Sequence, residues 1–367
     1  MMHWYEILNP EKLASPAILV YKDRVQHNIN TAIAMVGGDT GRLRPHVKTS
    51  KAKEPVQMML QAGINQFKCA TIAEAEMLAT MGVPDILLAY QPVGPTLTRW
   101  LELLRTYPNQ KFACLVDHPT TVTAIAAAAK NAGLQLSVWM DVNVGQNRTG
   151  IAATGITDLL HQIQEESSLV FEGLHCYDGH LHIPSLADRQ QAVTDIFAPI
   201  IALLPSLEKM IGHPISIIAS GSPSFSIHAK GKWICSPGTF IYWDAGYLQF
   251  TERDFLPAIV LLARVTSLPT ATRICLDLGH KAVAAENEIG KRVRFLHAEN
   301  LVPVGQSEEH LVLEAGEGHG YQPGDILYML PWHVCPTVAL HASAQVVENH
   351  RLTGEWLTVA RNRKISI

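Results

Sequence analysis

Between about residue 40 and residue 240 the chain alternates short apolar runs with longer segments whose apolar positions recur at helical spacing. The runs LRPHVK (43–48), FKCAT (67–71), DILLAY (85–90), KFACLVD (111–117), LSVWMDV (136–142), FEGLHCYDG (171–179), ISIIASG (215–221) and KWICSPGTF (232–240) read as strands. Between them KAKEPVQMMLQAG, TIAEAEMLATMG, TVTAIAAAAKNAG and DRQQAVTDIFAPIIALL read as helices, several closing on the glycine that helix C-termini favour. Eight βα units over about 200 residues predict a (β/α)8 TIM-type barrel of class α/β. A doubly wound open sheet is the other topology this alternation allows. After residue 250 the texture changes. IVLLARVTS, TRICLDLG, HLVLEA, DILYMLP, LHASAQVVEN and EWLTVARN are strand-like and joined by turns, which predicts a C-terminal β domain. The expected division is a barrel over 15–245 and a β domain built from 1–14 and 246–367.

Composition narrows the function classes. The 367 residues are 47% hydrophobic with mean hydropathy +0.10, enough for a large core and too apolar for a disordered chain. A net charge of −4 argues against a nucleic-acid partner or an anionic membrane surface, both of which call for a basic patch. Charged residues reach only 17%, against roughly 25% in an average chain, so extra buried surface is expected, most simply in a homodimer. The opening MMHWYEILNPEKLASP has no basic segment followed by an apolar one, and no apolar run approaches the ~20 residues of a membrane span. The six cysteines are scattered without a CxxC pair, which points to reduced thiols and a cytoplasmic protein. Seventeen histidines are many for this length and direct attention to site chemistry.

Strand alternation in RPHVK puts Arg44, His46 and Lys48 on one face, which is costly in a barrel interior without an anionic partner. Lys48 falls at the C-terminal end of the first strand, where barrel enzymes place catalytic groups, and a desolvated lysine there can form a Schiff base. The ends of strands 7 and 8, around Gly221 and Ser222 and around Gly238 and Thr239, carry the small and hydroxyl residues that suit a phosphate. A reactive lysine and a phosphate cradle on one rim suggest pyridoxal 5'-phosphate. Arg148, in VNVGQNRTG after strand 5, is either a solvated turn arginine or a donor to the cofactor's phenolate oxygen. HCYDGHLH closes strand 6, with His175 and Tyr177 sharing a face and His180 and His182 in the loop beyond, a supply of general bases or a structural network. In PWHVCPT, His333 and Cys335 point the same way if the segment is extended. Two such ligands can hold one ion with open positions left for water or substrate.

RPHVKTSK, ATIAEAEML, DILLAYQPVGP, VNVGQNRTG, the YDGH segment, SPGTF, DLGHKA and HVCPT together resemble the D-threonine aldolase family, within the alanine racemase-like, fold type III pyridoxal phosphate enzymes. The resemblance spans essentially the whole chain. It implies that Lys48 carries pyridoxal 5'-phosphate as a Schiff base, that Arg148 lies near the phenolate oxygen and that Tyr177 lines the cofactor. It places Gly221, Ser222, Gly238 and Thr239 in the phosphate loops. It makes His333 and Cys335 ligands of one divalent metal ion (Zn, Mn or Mg), and His182 or His180 the catalytic base. The implied activity is a lyase on a small β-hydroxy-D-amino acid, with D-threonine aldolase first. A zinc-dependent D-serine or D-3-hydroxyaspartate dehydratase uses the same parts, and His-x-Cys is the metal pair of that branch. A non-catalytic pyridoxal phosphate-binding protein is the remaining class, and its members lack a β domain.

Overall fold

The computed structural model describes residues 2–252 and 254–367, in two compact units. One comprises residues 32–48, 56–238 and 362–367, the other residues up to 31 with 49–55 and 239–361. The first strand of the chain, β1 (Ala17–Tyr21), belongs to the second of these.

The larger unit is a seven-stranded parallel sheet in strict sequence order. Its strands are β2 (Gln66–Cys69), β3 (Asp85–Leu88), β4 (Lys111–Val116), β5 (Leu136–Asp141), β6 (Leu169–Cys176), β7 (Ser216–Ala219) and β8 (Ile234–Cys235). Helices alternate with them, and the sequence marks their ends. Thr71 caps Ile72–Thr80 by accepting from the Glu74 N–H, while the Glu74 carboxylate accepts from Ala70 N at 2.6 Å. Gly63, Gly82 and Gly133 take left-handed φ just beyond three helices.

The eighth strand expected at 43–48 is not a regular strand. Pro45 has no N–H to contribute to a ladder, so the segment meets β8 and β2 through single parallel bridges, Leu43 to Cys235 and His46 to Lys68. It still bonds to both edges of the sheet, since Arg44 N donates to Cys235 O and Val47 N to Lys68 O. The ring of strands is completed without an eighth ladder.

The helix Leu186–Ile211 is long and apolar enough to cross a membrane by length and composition, contrary to the expectation of no such run. Its buried positions, Arg189, Val193, Phe197, Ile200 and Leu207, repeat at helical spacing and make one face, as a surface helix packed on a sheet requires. At Gly173 the β5–β6 pairing slips register, and φ is +150°. A Cβ there would lie 2.2 Å from Ser216 O and 2.8 Å from the Trp139 ring. Gly173→Ala is expected to cost about 3 kcal/mol, read as a lowered Tm.

The second unit is a mostly antiparallel sheet of nine strands. Besides β1 they are β9 (Ile259–Thr270), β10 (Arg273–Leu276), β11 (Val293–Phe295), β12 (Val302–Gln306), β13 (Leu311–Glu314), β14 (Ile326–Pro331), β15 (Ser343–Glu348) and β16 (Arg351–Leu357). Strand β1 lies between β9 and β15, although residues 17–21 fall inside the stretch 15–245 expected for the barrel. An apolar run of five, buried at every position, reads the same in either sheet. Tyr5, Ile7, Leu19, Tyr21, Val260, Leu262, Leu330 and Val347 form this unit's core.

Candidate active site

Alternation along the parallel strands delivers a group of charged side chains to one pocket. Its lining includes His46 and Lys48 from the first segment, Lys68 from β2, Asp141 from β5, Arg148 and Thr149 from the following loop, and His175 and Tyr177 from the end of β6. The Tyr177 ring is the hub: Lys48 Nζ, Lys68 Nζ and Arg148 Cζ lie 5.8, 5.3 and 5.4 Å from its centroid. The third basic residue of the first segment, Arg44, points elsewhere. It forms a bidentate pair with Asp85 at the start of β3, 2.6 and 3.0 Å, which supplies the anionic partner its burial requires.

Inside the pocket Asp141 Oδ1 sits 2.7 Å from His175 Nδ1, and His175 Nε2 sits 3.3 Å from Lys68 Nζ. Burial and the neighbouring Lys68 charge push the His175 ring down, against its bond to Asp141, so the imidazole is neutral at neutral pH. Burial, with the like charge of Lys48 next, pushes the Lys68 amine down to about 7. Burial raises Asp141, but its bond to His175 together with Thr149 and the Lys68 charge outweighs it and holds the carboxyl below its usual range.

The loops after β7 and β8 are held from below. Asp178 is wholly buried, accepts from Gly221 N at 3.0 Å and from Ser224 Oγ at 2.6 Å, and pairs with His228 Nε2 at 2.7 Å. The Gly221 N–H is therefore engaged within the protein. Its lack of a side chain is what the loop uses, because a Cβ would come within 2.8 Å of Gly179 Cα. Gly238 N donates to Ser222 Oγ at 3.3 Å, and Ser220, at the start of the loop after β7, carries a strained φ of 74°. Despite burial, the bonds to His228 and Ser224 hold the Asp178 carboxyl low. Stability from such a carboxylate is complete above its unfolded value, near 3.8, and is lost as pH falls through the folded one. Asp178→Asn is expected to flatten the fall of Tm with pH below about 4. Asp178→Ala is expected to cost about 3–5 kcal/mol at neutral pH by stranding His228 and the loop.

Neither His180 nor His182 lines the Lys48 pocket. His182 is exposed, and its N–H donates to His180 O. His180 is half-buried beside Gly145, in the loop that carries Arg148, and its Nδ1 has no protein partner.

In the other unit, the segment expected to be extended instead begins a helix, Val334–Leu340, with His333 as its N-cap. Cys335 lies in the first turn, so strand alternation does not explain how the two side chains meet. They meet nonetheless. Burial opposes charging of His333, yet its hydrogen bonds to Cys335 and Glu286 push it up to about 9. Glu286 Oε1 holds Nδ1 at 2.5 Å, which leaves Nε2, on the side of Cys335, as the ring nitrogen that would ligate. Thr49 Oγ1 and Thr239 Oγ1 stand 3.1 and 3.7 Å from Cys335 Sγ. Asp244 is buried, accepts from Val334 N at 2.8 Å and is pushed up to about 7 by that burial. Among the described residues no cluster of three metal-ligating side chains exists, so a metal here would have two protein ligands and exchangeable positions. None of the six cysteines is in a disulfide, and Cys335 is the one not fully buried.

Sequence reasoning named Lys48, Arg148 and Tyr177, and the pocket brings them together. It missed Lys68 and Asp141. The signal for both was a charged residue at an inward position of an otherwise apolar run, FKCAT and WMDV.

The donor sets fit the groups the resemblance implies. A pocket holding two amines and a guanidinium against one carboxylate suits a polyanionic aldehyde cofactor, and an oriented imidazole beside a thiol suits a divalent metal.

Residues 20–245 match the profile of the alanine racemase N-terminal domain, and residues 258–347 that of a serine dehydratase domain. The chain is 25% identical to a D-threonine aldolase of an Arthrobacter species, over 95% of this chain and 93% of the relative. It is also 25% identical to the D-threo-3-hydroxyaspartate dehydratase of Delftia sp. strain HT23, over 94% and 97%. The crystal structure of D-threonine aldolase from Filomicrobium marinum superposes with a TM-score of 0.89 at 22% identity, covering 97% of this chain and 98% of that one. The alanine racemase-like fold and the enzymatic character of these relatives are thus established for the lineage. The chain belongs to the alanine racemase N-terminal domain family, in the D-threonine aldolase and D-serine dehydratase-like group that follows this domain with a serine dehydratase domain.

Proposed function

We propose that the protein is a pyridoxal phosphate- and divalent metal-dependent lyase that cleaves β-hydroxy-D-amino acids, with D-threonine giving glycine and acetaldehyde. The observation that carries the reading is Lys48 at the wall of a cationic pocket, on a chain matching a D-threonine aldolase along nearly its whole length. When bound, the cofactor supplies an electron sink for the pair left at Cα. Lys48 is the residue that attaches it and is displaced by the substrate amine. Arg148, an always-charged planar donor, orients its phenolate oxygen, and Tyr177 packs against it. The loops at Gly221, Ser222, Gly238 and Thr239 hold the phosphate end, with Asp178 fixing the first of them. His333 and Cys335 hold the metal that serves the β-hydroxyl, and Glu286 sets the His333 tautomer. His182 or His180 takes the hydroxyl proton.

One observation favours a second reading. A thiolate ligand selects softer ions such as zinc over magnesium or manganese, and His-x-Cys is the pair of the dehydratase branch. In that case Lys48 removes the Cα proton, and the products are a 2-oxo acid and ammonia. Product analysis separates the two. Metal-loaded holoenzyme with D-threonine is expected to yield glycine and acetaldehyde, with L-threonine unreacted. 2-Oxobutanoate and ammonia would establish the dehydratase, and no turnover of D-threonine, D-serine or D-3-hydroxyaspartate would refute both. The low charge fraction supports a homodimer, which sedimentation equilibrium would check.

A further inference from the structure

Lys68 lines the same pocket as Lys48, is only 2% exposed, and has no part in the chemistry described above. An ammonium carries three donors, and among the described residues Lys68 Nζ meets one acceptor, His175 Nε2 at 3.3 Å. Asp141 holds the other face of that ring, so Nε2 is kept in place as an acceptor. Among the described residues no carboxylate forms an ion pair with Lys68. Asp141 and Asp178, whose charges bear on it, are paired with His175 and His228 at 2.7 Å each. Its basic neighbour Arg44 is by contrast answered by Asp85. The remaining charged and titratable groups around Lys68 are His46 and Lys48 from the first segment, Arg148 from the loop after β5, and Tyr177 at the end of β6. None of these is a carboxylate. A buried cation needs a counter-charge or a full set of acceptors, so two donors of Lys68 are left for an anionic oxygen that enters the pocket.

Which oxygen that is follows from the order of the strands. In pyridoxal phosphate the aldehyde carbon is flanked by the phosphate-bearing arm on one side and by the phenolate oxygen on the other. The segment that carries Lys48 lies between β8 and β2 in the ring of strands. The loops that suit the phosphate follow β7 and β8, on one side of Lys48, and Lys68 stands on β2, on the other. Lys68 Nζ and Arg148 Cζ also lie 5.3 and 5.4 Å from the same Tyr177 ring centroid, so both cations border the space on that side.

We propose, on the reading that Lys48 attaches this cofactor, that Lys68 is a second cation for its phenolate oxygen, held in place by His175. Arg148 is exposed and its charge is screened by water, whereas Lys68 is buried, so Lys68 makes the stronger of the two contacts. Burial disfavours the ammonium form of Lys68, and a phenolate beside it restores that form. Lys68 therefore selects a cofactor with an ionised oxygen next to its aldehyde, a demand that the phosphate loops do not make.

The test is a cycle between one side chain and one oxygen. The full-length protein, freed of cofactor, is dialysed to equilibrium against pyridoxal phosphate and, separately, against its 3-deoxy analogue, which lacks only the phenolate oxygen. Wild type is expected to prefer pyridoxal phosphate. Lys68→Met, similar in size and uncharged, is expected to lose about 10-fold or more of that preference, the worth of a charge-assisted hydrogen bond. Lys68→Gln can still donate to His175, so it separates loss of charge from loss of packing and is expected to match Lys68→Met. It also carries the test should Lys68→Met misfold by circular dichroism. Arg148→Ala is expected to lose less of the preference than either. A preference unchanged in the Lys68 variants, or lost entirely in Arg148→Ala, assigns the oxygen to Arg148 alone and overturns the proposal. An unchanged preference with a raised KM for the amino acid assigns Lys68 to the substrate carboxylate and overturns it equally. Borohydride trapping and peptide mapping of wild type test the reading beneath it. Failure to trap the cofactor, or trapping at a lysine other than Lys48, refutes the functional reading itself and the proposal with it.

Discussion

Lys48→Ala is expected to leave the protein folded, with no covalently held pyridoxal phosphate and with lyase activity reduced by on the order of 10⁴-fold or more. The side chain is half-buried and open to the pocket, so its removal leaves no buried partner stranded. The local turn depends on the backbone instead, where the Lys48 N–H donates to His46 Nδ1 at 3.2 Å. Visible absorbance of the attached cofactor should vanish while the circular dichroism spectrum persists. Lys48→Arg should be equally inactive, because a guanidinium does not give up its proton to become a nucleophile. Persistence of the absorbance in Lys48→Ala would move the attachment point, and Lys68 is the first alternative the pocket offers.

Loss of the metal should have the second largest effect. Where a divalent ion stabilises charge on a substrate oxygen, its removal withdraws several kcal/mol, on the order of 10³-fold in rate. If His333 and Cys335 hold the ion as proposed, His333→Ala or Cys335→Ala leaves a single ligand, so both are expected to lose the ion and to match the chelated wild type. Cofactor attachment at Lys48 should be retained in each, which separates metal loss from collapse of the barrel pocket. Glu286→Gln should fall between, binding metal ~10–100-fold more weakly because the His333 ring loses its orienting carboxylate. Activity unchanged by chelation, with no metal found by elemental analysis, would dispose of the metal reading.

Much of this was legible along the chain. Alternation of apolar runs with helical segments identified seven of the parallel strands within a few residues, because each strand is buried on both faces and reads as a short apolar run. The segment 43–48 was read as an eighth strand, and the missing N–H of Pro45 reduces it to single bridges. Strands of three to five residues, β1, β11 and β12, escaped notice because so short a stretch carries no period. The turn of helix at Val334 escaped for a similar reason, since His-x-Cys alone does not distinguish an extended segment from the first turn of a helix. The loops after β7 and β8 stand out by their small residues, yet the engagement of Gly221 N by Asp178 spans 43 residues and has no local signature.

By itself, then, the sequence determined the βα order of the chain, its β-rich end, and a lysine, an arginine and a tyrosine that line one pocket, because strand periodicity and residue chemistry are local properties. Only the tertiary structure decided which charges face one another. It assigned Arg44 to Asp85, drew Lys68, His175 and Asp141 from three separate strands into one line, set Glu286 behind His333, and kept His180 and His182 off the pocket wall. The cost of burying a charge is met by whatever partner the fold brings within about 3 Å, and that partner can lie anywhere in the chain.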